Sequence, residues 1–394
     1  MSKHRVIVFT DHFRPARAAG GIITSLENLF GEIGKEAKFI VISGNRDLGS
    51  KVPITKFVNR WHKQANVRVL YKLSFQSINS IISLSLNKKN KRFLLPSFFS
   101  PLGTILPLIV LRLRKLIYGE ADITVIVCAR GQLFGSAVEI SATKKNGYLK
   151  LAKLFRLLSG TKLIYSSADE LDKSVLNSNH YNFTETVIPD VLSTKKFHDN
   201  IVFPHPSLTR TTEKEFINVL CVGRIHRIKR IHKVVHFLQN LDCALKFKIN
   251  ICGPIEDDNY WQDILSDYNN DKIMLSFLDT LNEEDLKVQY LNSDFLCVFS
   301  ITENFSYVVP EALSLGCPVI LTNGVYWSDF TDDCMLCVSE HFDASDSLAA
   351  TQYIDSIYYN RFQYSQLSRS FLRSYMSKYQ ENYLHDFKKN LKLK

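Results

Sequence analysis

Short apolar runs separated by amphipathic stretches recur along this chain in two series, and that alternation fixes its fold class before any residue is given a role. A strand, a segment of helical periodicity and then another strand read as βα units on a parallel sheet. In the first series the predicted strands are Val6–Thr10, Phe39–Ser43, Val67–Leu70, Ile123–Cys128, Leu163–Ser166 and Thr186–Ile188, with helices near Ile22–Ile33, Leu102–Ile117 and Gln132–Leu158. A polar segment from Ser193 to Glu215, holding Pro204 and Pro206, reads as a linker. The pattern then restarts with strands Val219–Val222, Phe247–Cys252, Ile273–Phe277, Phe295–Phe299, Val319–Leu321 and Leu336–Val338. Helices Arg230–Leu241, Tyr260–Tyr268, Glu283–Leu291 and Val308–Leu315 lie among them. The expectation is an α/β protein of two Rossmann-like, doubly wound domains facing across a cleft, with ligand bound at the C-terminal ends of the strands. The expected domains are 1–193 and 216–371, joined by a linker at 194–215, and a C-terminal helix at about 372–394 packs back on the first domain.

Charge divides the chain at the same place. Of its 394 residues, 1–190 hold 28 Lys and Arg against 13 Asp and Glu, while 191–394 hold 21 against 26. The stretch Lys51–Gly119 carries thirteen basic residues and no acid. A one-sided field points to an anionic partner: a membrane surface, a nucleic acid or a phosphorylated substrate. No zinc finger and no aromatic-interleaved basic motif supports nucleic acid. Phe93–Leu111 is uncharged for nineteen residues, but Pro96, Pro101 and Pro107 argue against a membrane span. It reads as a loop and a buried helix, or as a helix leaning on a membrane with Arg112, Arg114 and Lys115 at its end. The apolar run Val6–Phe9 is too short for a signal peptide. The eight cysteines lie mostly within apolar runs, as in a reduced cytosolic protein. Cys334-x-x-Cys337 with His341 resembles half a metal site, without a second pair to complete it, so no metal is expected.

Three loops carry the chemistry. Gly20-Gly21 opens a helix after the first strand, where glycine lets the backbone approach an anion or simply makes a turn. Gly223-Arg224 follows a strand, and Lys229 lies on the same loop; this reads as a diphosphate site or as a solvated basic loop. In Thr302-Glu303-Asn304-Phe305-Ser306-Tyr307-Val308-Val309-Pro310-Glu311, two glutamates eight positions apart reach different parts of one ligand. Amides near Ser306–Val308 begin the following helix and are placed to cradle phosphate.

Together and in this order, Gly223-Arg224-x4-Lys229, Glu303-x7-Glu311-Ala312-Leu313 and Gly316-x-Pro318-Val319-Ile320 resemble the retaining family-4 glycosyltransferases of the GT-B fold. Phe13-x-Pro15, Gly20-Gly21 and Cys128-Ala129-Arg130-Gly131-Gln132-Leu133 extend the likeness into the first half; with Glu303-Asn304-Phe305 and Trp327 it looks like a subgroup that builds bacterial surface polysaccharides. The resemblance implies that Arg224 and Lys229 bind the donor diphosphate, that Glu311 holds the ribose hydroxyls, and that Glu303 contacts the donor sugar. It implies further that Gly20, Gly21, Gly223 and the backbone of Asn304, Phe305, Ser306, Tyr307 and Val308 contact sugar or phosphate. Arg130 stands where many relatives place a histidine near the donor sugar, which makes it a candidate catalytic residue. Ser306 and Arg230 stand where the family usually has glycine.

The implied reaction is metal-independent, cofactor-free transfer of a sugar, with retention, from a UDP- or GDP-sugar to a lipid-linked glycan in O-antigen, lipopolysaccharide or capsule assembly. The implied location is the inner face of the cell membrane, held through the basic first domain. The alternatives are a nucleotide-sugar epimerase or phosphorylase on the same fold, and a non-catalytic basic membrane-binding protein.

Overall fold

The computed structural model describes residues 4–17, 20–56, 58–64, 66–72, 77–119, 122–139, 142–198, 215–266, 271–301 and 303–393. The chain divides into two compact units, one of Met1–Lys196 with Tyr379–Lys394 and one of Phe197–Lys378.

The first unit is built on strands β1 (His4–Thr10), β2 (Ala37–Gly44), β3 (Trp61–Gln64), β4 (Val67–Lys72), β5 (Arg92–Leu95), β6 (Thr124–Cys128), β7 (Lys162–Tyr165) and β8 (Thr184–Val187). They form one sheet in the order β3-β4-β2-β1-β5-β6-β7-β8. Every pairing is parallel except the edge pair β3–β4. Alternate residues of β1 feed two cores: Ile7 and Phe9 face one, Val6 and Val8 the other. Residues of helices Ser77–Leu86, Leu106–Tyr118 and Ala142–Leu154 cover the first face, and Gly21–Glu32 covers the second. Burial on both sides explains why these strands are continuously apolar.

The chain returns to the second face at its end. Phe387, Leu391 and Leu393 enter that core, Arg92 Nε donates to Leu391 O at 2.9 Å, and Gln380 Nε2 donates to Leu192 O at 2.7 Å. The return begins at Tyr379 rather than near 372, and helix Arg361–Tyr375 belongs to the second unit. The uncharged run 93–111 is not one element: it starts in β5, passes through a π-helical turn Pro101–Ile105 and enters helix Leu106–Tyr118. Among the described residues no helix is long and apolar enough to cross a membrane. Arg114 does not offer its charge to a surface. It is wholly buried and donates to Ser85 O, Asn87 O and Asn90 O at 2.8, 3.0 and 3.0 Å, tying off the end of helix Ser77–Leu86.

The second unit holds β9 (Ile217–Val222), β10 (Phe247–Cys252), β11 (Ile273–Phe277), β12 (Phe295–Val298), β13 (Val319–Thr322) and β14 (Met335–Val338). All are parallel, in the order β11-β10-β9-β12-β13-β14. The order reverses between β9 and β12, so consecutive crossovers leave to opposite sides and a crevice opens above those two strand tips. Where a linker is expected, Thr194–His198 is a short helix, and 199–214 lie outside the described residues.

Candidate functional site

The loops leaving β9 and β12 meet at this reversal. Gly223 directly follows β9 with φ +145° and Gly253 directly follows β10 with the same φ; a Cβ on Gly253 would stand 2.0 Å from Gly223 O. Gly223 N donates to Cys252 O at 2.9 Å, so the two tips are zipped together. The chain then makes a short 3₁₀ turn, Arg227–Lys229, whose start is capped by the His226 ring accepting from Ile228 N at 3.2 Å. That turn carries Lys229 back over the Gly223 backbone, its Cε 3.3 Å from where a Gly223 Cβ would be. A side chain at 223 would therefore crowd the ammonium.

Lys229 pairs with the Glu303 carboxylate, which also accepts from Ser300 Oγ at 2.9 Å. Both ends of the β12 loop are fixed, Ile301 N donating to Ile228 O at 2.9 Å and Glu303 N to Gly324 O at 3.1 Å. The Glu303 side chain is 14% exposed and that of Lys229 26%, so the pair is largely withdrawn from water yet borders the crevice. A cavity of about 20 Å³, room for roughly one water, lies against Gly223, Lys229, Ser300 and Glu303.

Beyond Glu303 the loop divides its duties. Phe305 is buried against Tyr307, Tyr326 and Trp327 at ring distances of 5.0 to 5.2 Å, and Trp327 Nε1 donates to Phe305 O at 2.6 Å. Its side chain is an anchor in the core. Asn304 Oδ1 and Ser306 Oγ are buried without a hydrogen-bond partner; such groups cost free energy until something meets them. Tyr307 precedes helix Val308–Ser314, which carries Glu311 half-buried, within 3.4 Å of Tyr290 Oη. Burial, and then the Glu311 charge, push the Tyr290 phenol well above its ordinary pKa, so it stays a donor. Thr302 lies outside the described residues.

The structure thus brings Gly223, Lys229 and Glu303 together. Arg224 turns instead to Glu256 on the β10 loop, at 2.6 Å in a half-exposed ion pair. Such pairs contribute about 0–1 kcal/mol, so the guanidinium can be exchanged to another anion at little cost. Arg230 and Ser306 have φ +50° and +54°. Both positions where the resemblance leads one to expect glycine therefore take up the backbone conformation that favours glycine.

Gly20, Gly21 and Arg130 belong to the first unit. Gly20 (φ +61°) precedes helix Gly21–Glu32 and faces open space. Arg130 is not presented to solvent. Its guanidinium is held by Asp190 at 3.1 Å and Ser25 Oγ at 2.7 Å, and Ser25 also donates to Asp190 at 2.7 Å. Beside it, buried Glu170 accepts from Ser166 N at 2.8 Å and from Gly131 N; burial pushes its carboxyl up to about 7. Gln132 Oε1 accepts from Phe98 N at 2.7 Å, and Ser100 Oγ donates to Asp11 at 2.7 Å. The loops after β1, β5, β6, β7 and β8 are thereby laced along one sheet edge, and Arg130 is part of that lacing. A concavity of about 540 Å³ opens at the tips of β1, β2 and β4, lined by Asp11, His12, Arg46 and Lys72 among others.

Among the described residues no group of three His, Cys, Asp or Glu is placed to hold a metal ion. Ser300, Glu256, Ser25, Asp190 and Glu170 were not foreseen. Ser300 carried a weak signal, three residues before Glu303 at the end of an apolar strand.

Residues 209–329 match the family model of glycosyl transferases group 1. Whole-chain structural likeness is found to HepE of Anabaena in complex with UDP and glucose, at 12% identity and TM-score 0.62, covering 99% of each chain. It extends to sucrose-phosphate synthase of Thermosynechococcus elongatus, at 15% identity and TM-score 0.63 over 94% of each chain. A trehalose-6-phosphate synthase is similar at 13% identity and TM-score 0.62, covering 98% of this chain and 99% of that one. No curated protein matches the sequence significantly. Residues 209–329 are therefore similar to the glycosyl transferases group 1 domain, in a chain with the GT-B fold of two Rossmann-like sheets.

Proposed function

We propose that this protein transfers a sugar, with retention of configuration, from a nucleoside-diphosphate sugar to a lipid-linked glycan acceptor during assembly of a bacterial surface polysaccharide. The observation that carries the reading is the Lys229–Glu303 pair over Gly223 at the β9/β12 reversal. Breaking the sugar–phosphate bond builds negative charge on the departing diphosphate. Lys229 and Arg224 neutralise it, and preorganised cations of this kind are worth about 2–4 kcal/mol of barrier. The acceptor hydroxyl attacks the anomeric carbon from the side the diphosphate leaves, and its proton passes to the departing phosphate oxygen. Released from Lys229 by the diphosphate, Glu303 accepts hydrogen bonds from the donor sugar, and Glu311 accepts from the ribose. Asn304 Oδ1 and Ser306 Oγ are unpartnered groups on the same loop. Uridine is the base this reading favours, because UDP is bound in the HepE complex. On the acceptor side, Arg46 and Lys72 at the 540 Å³ concavity suit a phosphate-bearing acceptor.

The test is transfer from UDP-sugars to a lipid-pyrophosphoryl acceptor, read by mass spectrometry. Lys229→Ala is expected to lower kcat by about 10²-fold or more, with the thermal midpoint little changed. Glu311→Ala is expected chiefly to raise the donor KM. Near wild-type turnover in Lys229→Ala would refute the site. UDP release without acceptor, at an equal rate, would refute transfer.

A further inference from the structure

Helix Leu106–Tyr118 has two apolar stripes where a surface helix of a globular unit needs one. Leu108, Leu111 and the buried Arg114 face the sheet. Ile109, Leu113, Leu116 and Ile117, at i, i+4, i+7 and i+8 on one side of the helix, face solvent, and the last two are 66% and 67% exposed. The next crossover repeats the arrangement. Tyr148, Leu149 and Ala152 of helix Ala142–Leu154 are buried, while Leu151, Leu154 and Phe155 are exposed by 52%, 73% and 60%. The two helices follow β5 and β6, which are successive neighbours in the sheet, and both feed the same core. Right-handed crossovers in one direction place such helices side by side. Lys115 Nζ of the first helix approaches Gly160, on the loop that leaves the second, 2.9 Å from where its Cβ would be.

Cations border these stripes. Arg112 and Lys115 flank the first, and Lys144, Lys150, Lys153 and Arg156 lie exposed around the second. Lys88 Nζ sits 4.0 Å over the ring of Tyr118. Neither Lys51–Gly119 nor Ala142–Gly160 contains an acid. An apolar ridge fringed by one sign of charge fits a surface that is apolar inside and anionic at its boundary. A second copy fits poorly, because a two-fold contact sets each cation-bordered stripe against itself.

We propose that the outer face of helices Leu106–Tyr118 and Ala142–Leu154 docks this protein on anionic lipid bilayers, with Leu113, Leu116, Ile117, Leu154 and Phe155 entering the headgroup layer. The proposal stands on this surface alone and does not depend on the transfer reaction. It is tested by flotation of the full chain with vesicles of phosphatidylglycerol and phosphatidylethanolamine, against vesicles of phosphatidylcholine alone, at low and high salt. Wild-type protein is expected to float with the anionic vesicles, and partly to remain bound at high salt through its apolar side chains. The variant L116S/I117S/L154S/F155S is expected to bind about tenfold more weakly or worse at both salts. K150E/K153E/R156E is expected to lose binding to anionic vesicles while keeping its far-ultraviolet circular dichroism and its thermal midpoint. Flotation of the serine variant equal to wild type would overturn the proposal. So would equal binding of wild type to neutral vesicles, or a solution dimer dispersed by the serine substitutions.

Discussion

Arg230 and Ser306 hold left-handed backbone conformations beside the Lys229–Glu303 pair. A non-glycine residue there costs roughly 1–2 kcal/mol, and Ser306 adds a buried, unpartnered hydroxyl. Ser306→Gly is therefore expected to raise stability by about 1 kcal/mol, measured by urea unfolding; a fall would show that the hydroxyl is satisfied in solution. The carboxyl of Glu170 gives a second residue-scale expectation. Burial raises it from 4.5 to about 7, so between those pH values the folded state holds a proton that the unfolded chain has released. Stability then falls as pH rises through that window. The wild-type thermal midpoint should be higher at about pH 5 than at about pH 8, with the difference reduced in Glu170→Gln; an unchanged difference would assign it to other groups. Residues of this kind were unevenly legible in the sequence. Lys229 and Glu303 announce themselves because each follows an apolar strand. The burial of Arg130 does not, since its partners Ser25 and Asp190 are 105 and 60 residues away along the chain.

At the scale of elements, the strands that read clearly are those with continuous apolar cores and a polar loop on either side. β10 and β11 fall on the same residues in sequence and structure, Phe247–Cys252 and Ile273–Phe277. β5 was hidden because the uncharged stretch merges a strand, a turn and a helix with no change of polarity between them. β3, Trp-His-Lys-Gln, is an antiparallel edge strand with one exposed aromatic and no alternation to betray it. The close contact of the β9 and β10 tips was likewise unreadable, since either glycine alone only marks a turn. Gly253→Ala is expected to cost about 3 kcal/mol or more, because a methyl would press on Gly223 O and the φ of +145° disfavours alanine. Chemical denaturation measures the loss. A fully stable alanine variant would mean the two tips can separate freely.

At the scale of the molecule, both doubly wound sheets follow from the strand–helix alternation, and the first unit is closed by a distant piece of chain. Leu391 is fully buried in its second core, and Lys388 pairs with Glu36 at 2.8 Å. Leu391→Ala is expected to cost about 3 kcal/mol, seen as earlier proteolysis within Met1–Lys196 while Phe197–Lys378 stays resistant. Equal digestion of both regions would argue against local closure. The return of Tyr379–Lys394 also bears on the order in which the units mature as the chain is synthesised. Every residue of Phe197–Lys378 leaves the ribosome before Phe387, Leu391 and Leu393 do. Of the two units, the one translated first is therefore completed second, and its second core stays open to solvent or to chaperones until Phe387, Leu391 and Leu393 emerge.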